Sequence, residues 1–248
     1  RHVSCVRKYP HSFLAQTLGN KSRRKGGGTV RSFMEPIMLL AGAALLSALP
    51  ANAQSVDLSG WNDQRFGIFG GNTWRQSGTS ISVASDGAVS MLWRELPAAF
   101  AASEVMSWRW TVDQTLPPTD LSRRGGDDRN LSLYAIFMPE VAASSARGRS
   151  ISALLDNPDV RVLMYVWGGN HERGSALASP YVGERGRTIV LREAGVGSHE
   201  EQVDLRSDLH RNFGEADLVL VGLALSADSD DTASQIRASL SDLRLLTP

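Results

Sequence analysis

The chain has 248 residues, with 26 basic and 26 acidic side chains and a single cysteine. The segment after residue 53 contains 18 arginines, no lysine and 25 acidic residues, which gives a net charge of −7. An acidic segment without a basic run is a poor electrostatic partner for nucleic acid or for an anionic membrane. Because the only cysteine is Cys5, cysteine-based zinc sites and cysteine nucleophiles are excluded from residues 54–248.

An apolar stretch near the beginning of the sequence runs from Ile37 to Leu49 and is followed by PANAQ, with small residues at Ala51 and Ala53. This order is typical of the hydrophobic region and A-x-A cleavage site of a signal peptide. The stretch is shorter than the about 20 apolar residues that a spanning helix needs. We therefore expect residues 1–53 to be a signal peptide with an upstream extension, and the protein to be periplasmic or secreted, with no transmembrane segment in the mature chain.

Residues 54–248 have the length of one domain of ordinary size. Short segments rich in β-branched, aromatic and aliphatic residues alternate with clusters of Gly, Pro, Asp, Asn and Ser, a pattern that predicts an all-β protein. The eight predicted strands are 81–84, 88–92, 105–112, 131–137, 160–166, 188–192, 218–225 and 240–246. We expect them to form a single, mainly antiparallel β-sandwich.

The alternation of side chains within two strands predicts which faces point inward. In MSWRWTVD, the apolar side chains at every second position from Trp108 to Val112 are expected to lie in the core. In NLSLYAIF, the apolar set from Leu131 to Phe137 shares one face, and Ser132, Tyr134 and Ile136 share the other.

Three segments outside these strands have helical features. The alanine-rich sequence AAFAASE near residue 100 is expected to form a short helix. In DLRSDLHRNFG, Asp204 is a candidate N-cap, apolar residues repeat every four positions and Gly214 is a stop signal. The long stretch 139–159 is either a functional loop or partly helical around Ile151 to Leu155.

The order of sequence blocks along the chain is characteristic: WRWTVD, GGDDRNLSLYAIF, LMYVWG, SPYV, RTIVLREAG, DLHRNFGE and LVGLALSADSDDTASQIRASLSDLRL. These blocks resemble the bacterial domain-of-unknown-function family numbered 3047 over roughly residues 60 to 248. The resemblance implies an exported protein and no assigned activity. The last block also resembles the galactose-binding-like jelly rolls of carbohydrate-binding modules, an analogy of fold alone, which favours an antiparallel sandwich of jelly-roll type with one or two short helices.

A short acidic loop contains Asp228, Asp230 and Asp231, the candidate metal ligands of this sequence. Calcium takes about six to eight oxygen ligands, and three carboxylates supply several of them. The loop does not follow the EF-hand template, since Ala233 and Ser239 stand where that template has Gly and Glu. Calcium is therefore a candidate cofactor, and the alternative is an ordinary solvated turn.

A second acidic pair, Asp127 and Asp128, lies just before a predicted strand. If this turn and the Asp228 loop meet at one end of the sandwich, five carboxylates converge there. Their mutual repulsion would then require a cation or an arginine, and Arg129, Arg123 and Arg124 are adjacent in sequence.

Carbohydrate-binding sites use aromatic faces against the apolar side of a sugar, and Arg, Asp and Asn side chains for its hydroxyls. The predicted ligand contacts are Asp127, Asp128, Arg129, Tyr134, Trp167, Asn170, His171 and Arg173. For Trp167, a position in the hydrophobic core is the alternative.

The sequence contains no G-x-S-x-G elbow, no H-E-x-x-H, no Walker loop and no G-x-G-x-x-G. We therefore expect a protein that binds a ligand rather than an enzyme, with carbohydrate or a cell-envelope glycan as the leading ligand class. Two alternatives stay open: a polysaccharide lyase or glycoside hydrolase on the same fold, and a structural or assembly factor of the cell envelope.

Overall fold

A computed structural model describes residues 53–66, 70–214 and 217–248 of the chain. The expected signal peptide, including its apolar stretch up to Leu49, lies outside the described residues.

The described residues form 13 strands. Along the chain they are β1 (Ala53–Ser55), β2 (Asn62–Arg65), β3 (Thr73–Gln76), β4 (Ser80–Asp86), β5 (Val89–Glu95), β6 (Val105–Gln114), β7 (Arg129–Pro139), β8 (Arg161–Trp167), β9 (Ala176–Ser179), β10 (Gly183–Arg192), β11 (Gly197–Asp204), β12 (Leu218–Asp228) and β13 (Gln235–Leu246). One sheet has six strands in the order β11-β6-β13-β4-β3, with β1 also paired to β13. The other has seven strands in the order β2-β5-β12-β7-β8-β10-β9.

The predicted fold class, an antiparallel β-sandwich with few short helices, is confirmed. Each of the eight predicted strands overlaps one of the observed strands. The exception to antiparallel pairing is the parallel pair of β8 and β10. The strands that sequence patterns did not predict are β1, β2, β3, β9 and β11, which are short or lie at sheet edges. Edge strands bury less apolar surface, so their hydrophobic alternation is weak.

The two sheets pack face to face around one large core, and the predicted inward faces are correct. Trp108 and Trp110 from β6 are buried in this core with their ring centroids 5.3 Å apart in an edge-to-face arrangement. The apolar set from Leu131 to Phe137 of β7 faces them. Aromatic side chains of this size bury about 150–250 Å² each, so this contact contributes a large share of the apolar burial.

The outer face of the seven-stranded sheet is also buried. The segment after β7 forms helix α1 (Glu140–Ala143), a 3₁₀ turn and helix α2 (Ile151–Leu155). Ser150 begins α2, because its hydroxyl accepts a hydrogen bond from the Ala153 N–H. Ile151 and Leu154 of this helix pack with apolar side chains of that outer face. The long 139–159 stretch is therefore partly helical, and it covers the sheet.

Helix α3 (Leu205–Phe213) is confirmed with its predicted ends. The Asp204 carboxylate accepts a hydrogen bond from the Ser207 N–H at 2.8 Å, and Gly214 adopts the left-handed conformation with φ 67°. The Tyr165 hydroxyl of β8 donates to Asp208 Oδ2 at 2.9 Å, which ties the helix to the core. Burial raises the pKa of Asp208. Near residue 100, the expected short helix is a 3₁₀ turn, Ala98–Phe100.

In the described ranges, no helix combines the length and the hydrophobicity needed to cross a lipid bilayer.

The close packing of β12 against β5 provides a test of this arrangement. A Cβ added at Gly222 would lie 2.0 Å from Cη2 of Trp93 and 2.9 Å from the Arg94 carbonyl oxygen. We expect Gly222→Ala to lower the free energy of unfolding in urea by about 1–3 kcal/mol, the usual cost of overpacking. The matched control is Gly195→Ala, where a Cβ would have no atom within 4 Å. Equal stability of the two variants would contradict the packing described.

Candidate ligand-binding cavity

A cavity of about 460 Å³ lies on the outer face of the seven-stranded sheet. Its floor consists of side chains from β5, β7, β8 and β12 that point away from the core: Met91, Ser132, Tyr134, Met164, Val166 and Ser226. Phe66, Leu121, Leu155 and Tyr181 also line the cavity. Part of the 139–159 segment that covers the sheet therefore also borders the cavity.

Two small side chains explain why a cavity forms at this place. Ser132 of β7 and Ser226 of β12 are direct cross-strand partners. Their neighbours on the same face are longer apolar side chains, including Met91 and Val166. A pair of serines at the centre of such a face leaves space above the sheet that the surrounding side chains do not fill.

Arg129 organises the polar end of the cavity. Its Nη1 donates to the Asp127 carbonyl oxygen at 2.7 Å and to Asp127 Oδ2 at 2.8 Å, and it lies 3.2 Å from Asp228 Oδ2. Its Nη2 donates to the Tyr134 hydroxyl at 3.1 Å, and that hydroxyl lies 3.2 Å from Ser226 Oγ. The guanidinium therefore connects the start of β7, the end of β12 and the cavity floor.

The two acidic turns meet at this end of the sandwich. Asp128 is fully buried, and its Oδ2 accepts hydrogen bonds from the N–H and hydroxyl of Thr232 at 2.7 and 2.6 Å. Asp128 Oδ1 accepts a longer bond, 3.4 Å, from the Asp231 N–H. One carboxylate oxygen from each of Asp128, Asp230 and Asp231 lies within 4.8 Å of the others. Of the metal ligands predicted from sequence, Asp230 and Asp231 belong to this group together with Asp128, and Asp228 forms an ion pair with Arg129.

Asp228 is the most strongly perturbed acid of the group. Burial raises its pKa to about 8; Arg129 opposes this shift, and the neighbouring Asp230 and Asp128 reinforce it. Asp228 Oδ1 is buried without a hydrogen-bond partner among the described residues. Burial also raises the pKa of Asp231, and the charges of Asp128 and Asp230 add to this effect. This end of the cavity therefore contains more negative charge than Arg129 neutralises.

Tyr181 forms one side of the entrance. Its hydroxyl donates to Asp127 Oδ1 at 3.0 Å, and the guanidinium carbon of Arg124 lies 4.8 Å from the centre of its ring. Burial and the charge of Asp127 raise the pKa of Tyr181. The ring is about half exposed, so it offers an aromatic edge at the mouth of the cavity.

Half of the predicted ligand contacts belong to this region. Asp127, Arg129 and Tyr134 line the cavity, as do the acidic-loop residues Asp228, Asp230 and Asp231, and Asp128 lies beside them. The predicted list lacked the floor residues Ser132 and Ser226. Ser132 could have been predicted from sequence, because strand alternation places it on the same face of β7 as Tyr134.

Trp167, Asn170, His171 and Arg173 do not line the cavity. Trp167 is 2% exposed and packs in the sandwich core, 5.6 Å from the Trp110 ring. The other three follow Gly168 and Gly169 in the loop after β8. His171 Nε2 lies 3.5 Å from an Asp120 carboxylate oxygen, Asn170 is exposed, and Arg173 donates to Glu201 at 3.2 Å.

The fold and the site define a β-sandwich with a ligand-sized cavity outside its main core. The chain belongs to the family described as Protein of unknown function (DUF3047), whose model matches residues 59–244. No curated protein matches the sequence. Among solved structures, the xyloglucanase domain of NopAA, a type three effector from Sinorhizobium fredii in complex with cellobiose, aligns with 10% identity and a TM-score of 0.41, over 81% of this chain and 100% of that chain. A likeness this remote carries no inference about the ligand of this protein.

The buried arginine provides a test of the polar end. We expect Arg129→Met to destabilise the protein by about 3–5 kcal/mol in urea unfolding, because it leaves buried Asp127 and Asp228 without their cation. Arg147→Met, at an exposed arginine, is the matched control and should change stability little. Loss of less than about 1 kcal/mol in Arg129→Met would show that the arginine is not the centre of this network.

Proposed function

We propose that this protein binds a small ligand in the cavity, and that the ligand carries a carbohydrate group together with an apolar substituent. The observation that carries the proposal is Ser132 Oγ, a buried polar atom of the cavity floor that has no hydrogen-bond partner among the described residues. An unsatisfied buried polar group costs about 1–3 kcal/mol, and a ligand that bonds to it removes that cost. The volume of about 460 Å³ lies within the usual range of ligand pockets.

The polar end supports hydroxyl groups as the part of the ligand that binds there. Asp127 and Asp228 supply acceptors, and Arg129 and Tyr134 supply donors, within one cluster of hydrogen bonds. Such a mixture matches a polyol, in which every hydroxyl both donates and accepts. An anionic sugar is disfavoured, because the four carboxylates that line the cavity outnumber its two arginines, Arg124 and Arg129. This argues against a lyase that acts on uronic acid polymers.

The rest of the cavity supports an apolar substituent. Met91, Met164, Val166, Leu121 and Leu155 line it, and none of them offers a strong hydrogen bond. Methionine side chains adapt to ligands of varied shape. A carbohydrate linked to an alkyl chain, as in an envelope glycolipid, would satisfy both ends.

We also propose that the protein is exported to the periplasm or beyond. The support is the apolar stretch from Ile37 to Leu49 followed by small residues at Ala51 and Ala53. We expect N-terminal sequencing of the protein from the envelope or culture medium of an expressing bacterium to give Gln54 as the first residue. A protein recovered only from the cytosol with its residues before Gln54 intact would contradict export.

Alkyl glucosides test the two-part ligand. We expect titration calorimetry with methyl, butyl and hexyl β-D-glucoside, below micelle-forming concentrations, to show about fourfold tighter binding for each methylene that enters the cavity. Hexan-1-ol, which lacks the sugar, should bind more weakly than hexyl glucoside. Absence of binding by all three glucosides to folded protein would overturn the proposal, and equal binding of hexanol would remove the carbohydrate part.

Variants at the cavity floor locate the binding. Ser132→Ala removes a buried hydroxyl that has no partner among the described residues, so we expect the stability to be maintained or to rise by up to about 1–3 kcal/mol. Binding of hexyl glucoside should weaken by roughly 2- to 13-fold, the equivalent of one hydrogen bond of about 0.5–1.5 kcal/mol. Ser107→Ala, in β6 of the other sheet, is the matched control and should bind as the unmodified protein does. Release of free glucose during the titration would favour the glycoside hydrolase alternative instead.

A further inference from the structure

We propose that a divalent cation, with calcium as the best match, binds at the mouth of the cavity to Asp128, Asp230 and Asp231, and that Asp228 Oδ1 is a further ligand. The three carboxylates come from two turns that are distant in sequence, and one oxygen of each lies within 4.8 Å of the others. Oxygens that share a calcium ion at about 2.3–2.6 Å have separations up to about twice that distance. The spacing therefore fits a cation at the centre of the group.

Asp228 supplies an observation that is independent of this spacing. Its side chain is more than nine-tenths buried, and its Oδ1 has no hydrogen-bond partner in the described part of the chain. Its other oxygen, Oδ2, lies 3.2 Å from Arg129 Nη1, so the orientation of the carboxylate is fixed. Asp228 is two residues from Asp230 in the same turn, and both side chains line the cavity. A cation between these groups would give the buried oxygen the partner it lacks.

The charge balance also favours a cation. Arg129 forms ion pairs with Asp127 and Asp228. Asp128, Asp230 and Asp231 add three more carboxylates, of which Asp128 is held by hydrogen bonds to Thr232. Repulsion among carboxylates at this distance destabilises the ionised state unless a positive charge lies between them.

The ligand atoms indicate which metal fits. All four candidate side chains are carboxylates, and hard oxygen ligands suit calcium and magnesium better than zinc or copper. Asp128 is held rigidly by Thr232 through Oδ2, so its Oδ1 remains available with only one long hydrogen bond of 3.4 Å. Asp230 and Asp231 are exposed, which leaves room for water ligands and for the seven- or eight-coordinate geometry that calcium tolerates.

Such a cation would also reach the ligand proposed above. Asp228, Asp230 and Asp231 line the cavity as well as the acidic group. Open coordination positions of the ion would therefore point to the polar end of the cavity, where they could accept sugar hydroxyls. This last step rests on the proposed function, whereas cation binding itself does not.

Calcium alone is the probe for the test. After treatment with chelator, we expect calorimetric titration of the full protein with CaCl₂ to give one site, with a dissociation constant on the order of 10⁻⁴–10⁻³ M. The melting temperature should rise with calcium concentration, because the ion binds the folded state. The absence of binding by calcium, magnesium and manganese at millimolar concentration would overturn the proposal.

Charge-removing variants of equal size locate the ion. Asp230→Asn and Asp231→Asn change exposed side chains, so both proteins should fold. Each should weaken calcium binding by roughly tenfold or more, because affinity depends on the number of charged ligands. Asp113→Asn, at an exposed aspartate of β6, is the matched control and should bind calcium normally. Equal weakening in Asp113→Asn would show non-specific charge attraction and would also overturn the site.

The two proposals fail separately in these experiments. Hexyl glucoside binding in the presence of chelator, together with no calcium binding, would leave the ligand cavity and remove the cation. Calcium binding without any glucoside binding would leave the cation site and remove the carbohydrate ligand.

Discussion

The ion pairs of one buried arginine determine the geometry of the candidate site. Arg129 and Asp228 are cross-strand partners at the ends of β7 and β12, and Asp127 and Tyr134 complete the hydrogen bonds of the guanidinium. A buried charge of this kind is stable only when its donors find acceptors. The positions of both acidic turns and of the tyrosine hydroxyl on the cavity floor therefore depend on a single side chain.

The cavity exists because the seven-stranded sheet is covered on both sides. A sandwich needs only one apolar face per sheet, and the other face is usually solvated. Here the helices after β7 bury Ile136, Met138 and Val162 on the second face, while Ser132 and Ser226 leave a gap in the same layer. The result is a partly open cavity on the second face of the sheet, separate from the large core between the sheets.

The sequence predicted most of the fold and only part of the site, for identifiable reasons. Apolar alternation in β6 and β7 was strong enough to assign their inward faces, whereas the polar edge strands β2 and β11 carry no such signal. The sequence shows the two Asp-rich turns. That they lie close together follows only from the order of the strands in the sheet. Trp167 looked equally suitable for a ligand and for the core, and its place in the core follows from Trp110 in the facing sheet. The pairing of Ser132 with Ser226 on the floor depends on the register of β7 and β12, which are far apart in sequence.

A shift in the pairing of β7 and β12 connects the cavity floor with the acidic end of the cavity. The register of β7 and β12 shifts between the Ser132–Ser226 pair and the Arg129–Asp228 pair, so strict alternation does not apply there. Such bulges redirect side chains, and this one brings Arg129 to the same face as Tyr134. The arginine neutralises part of the negative charge, whereas Asp128, Asp230 and Asp231 have no ion pair among the described residues. Repulsion among these carboxylates disfavours their ionised forms. Binding of a cation or of hydroxyl groups at this end would stabilise the protein, because such binding acts on the folded state.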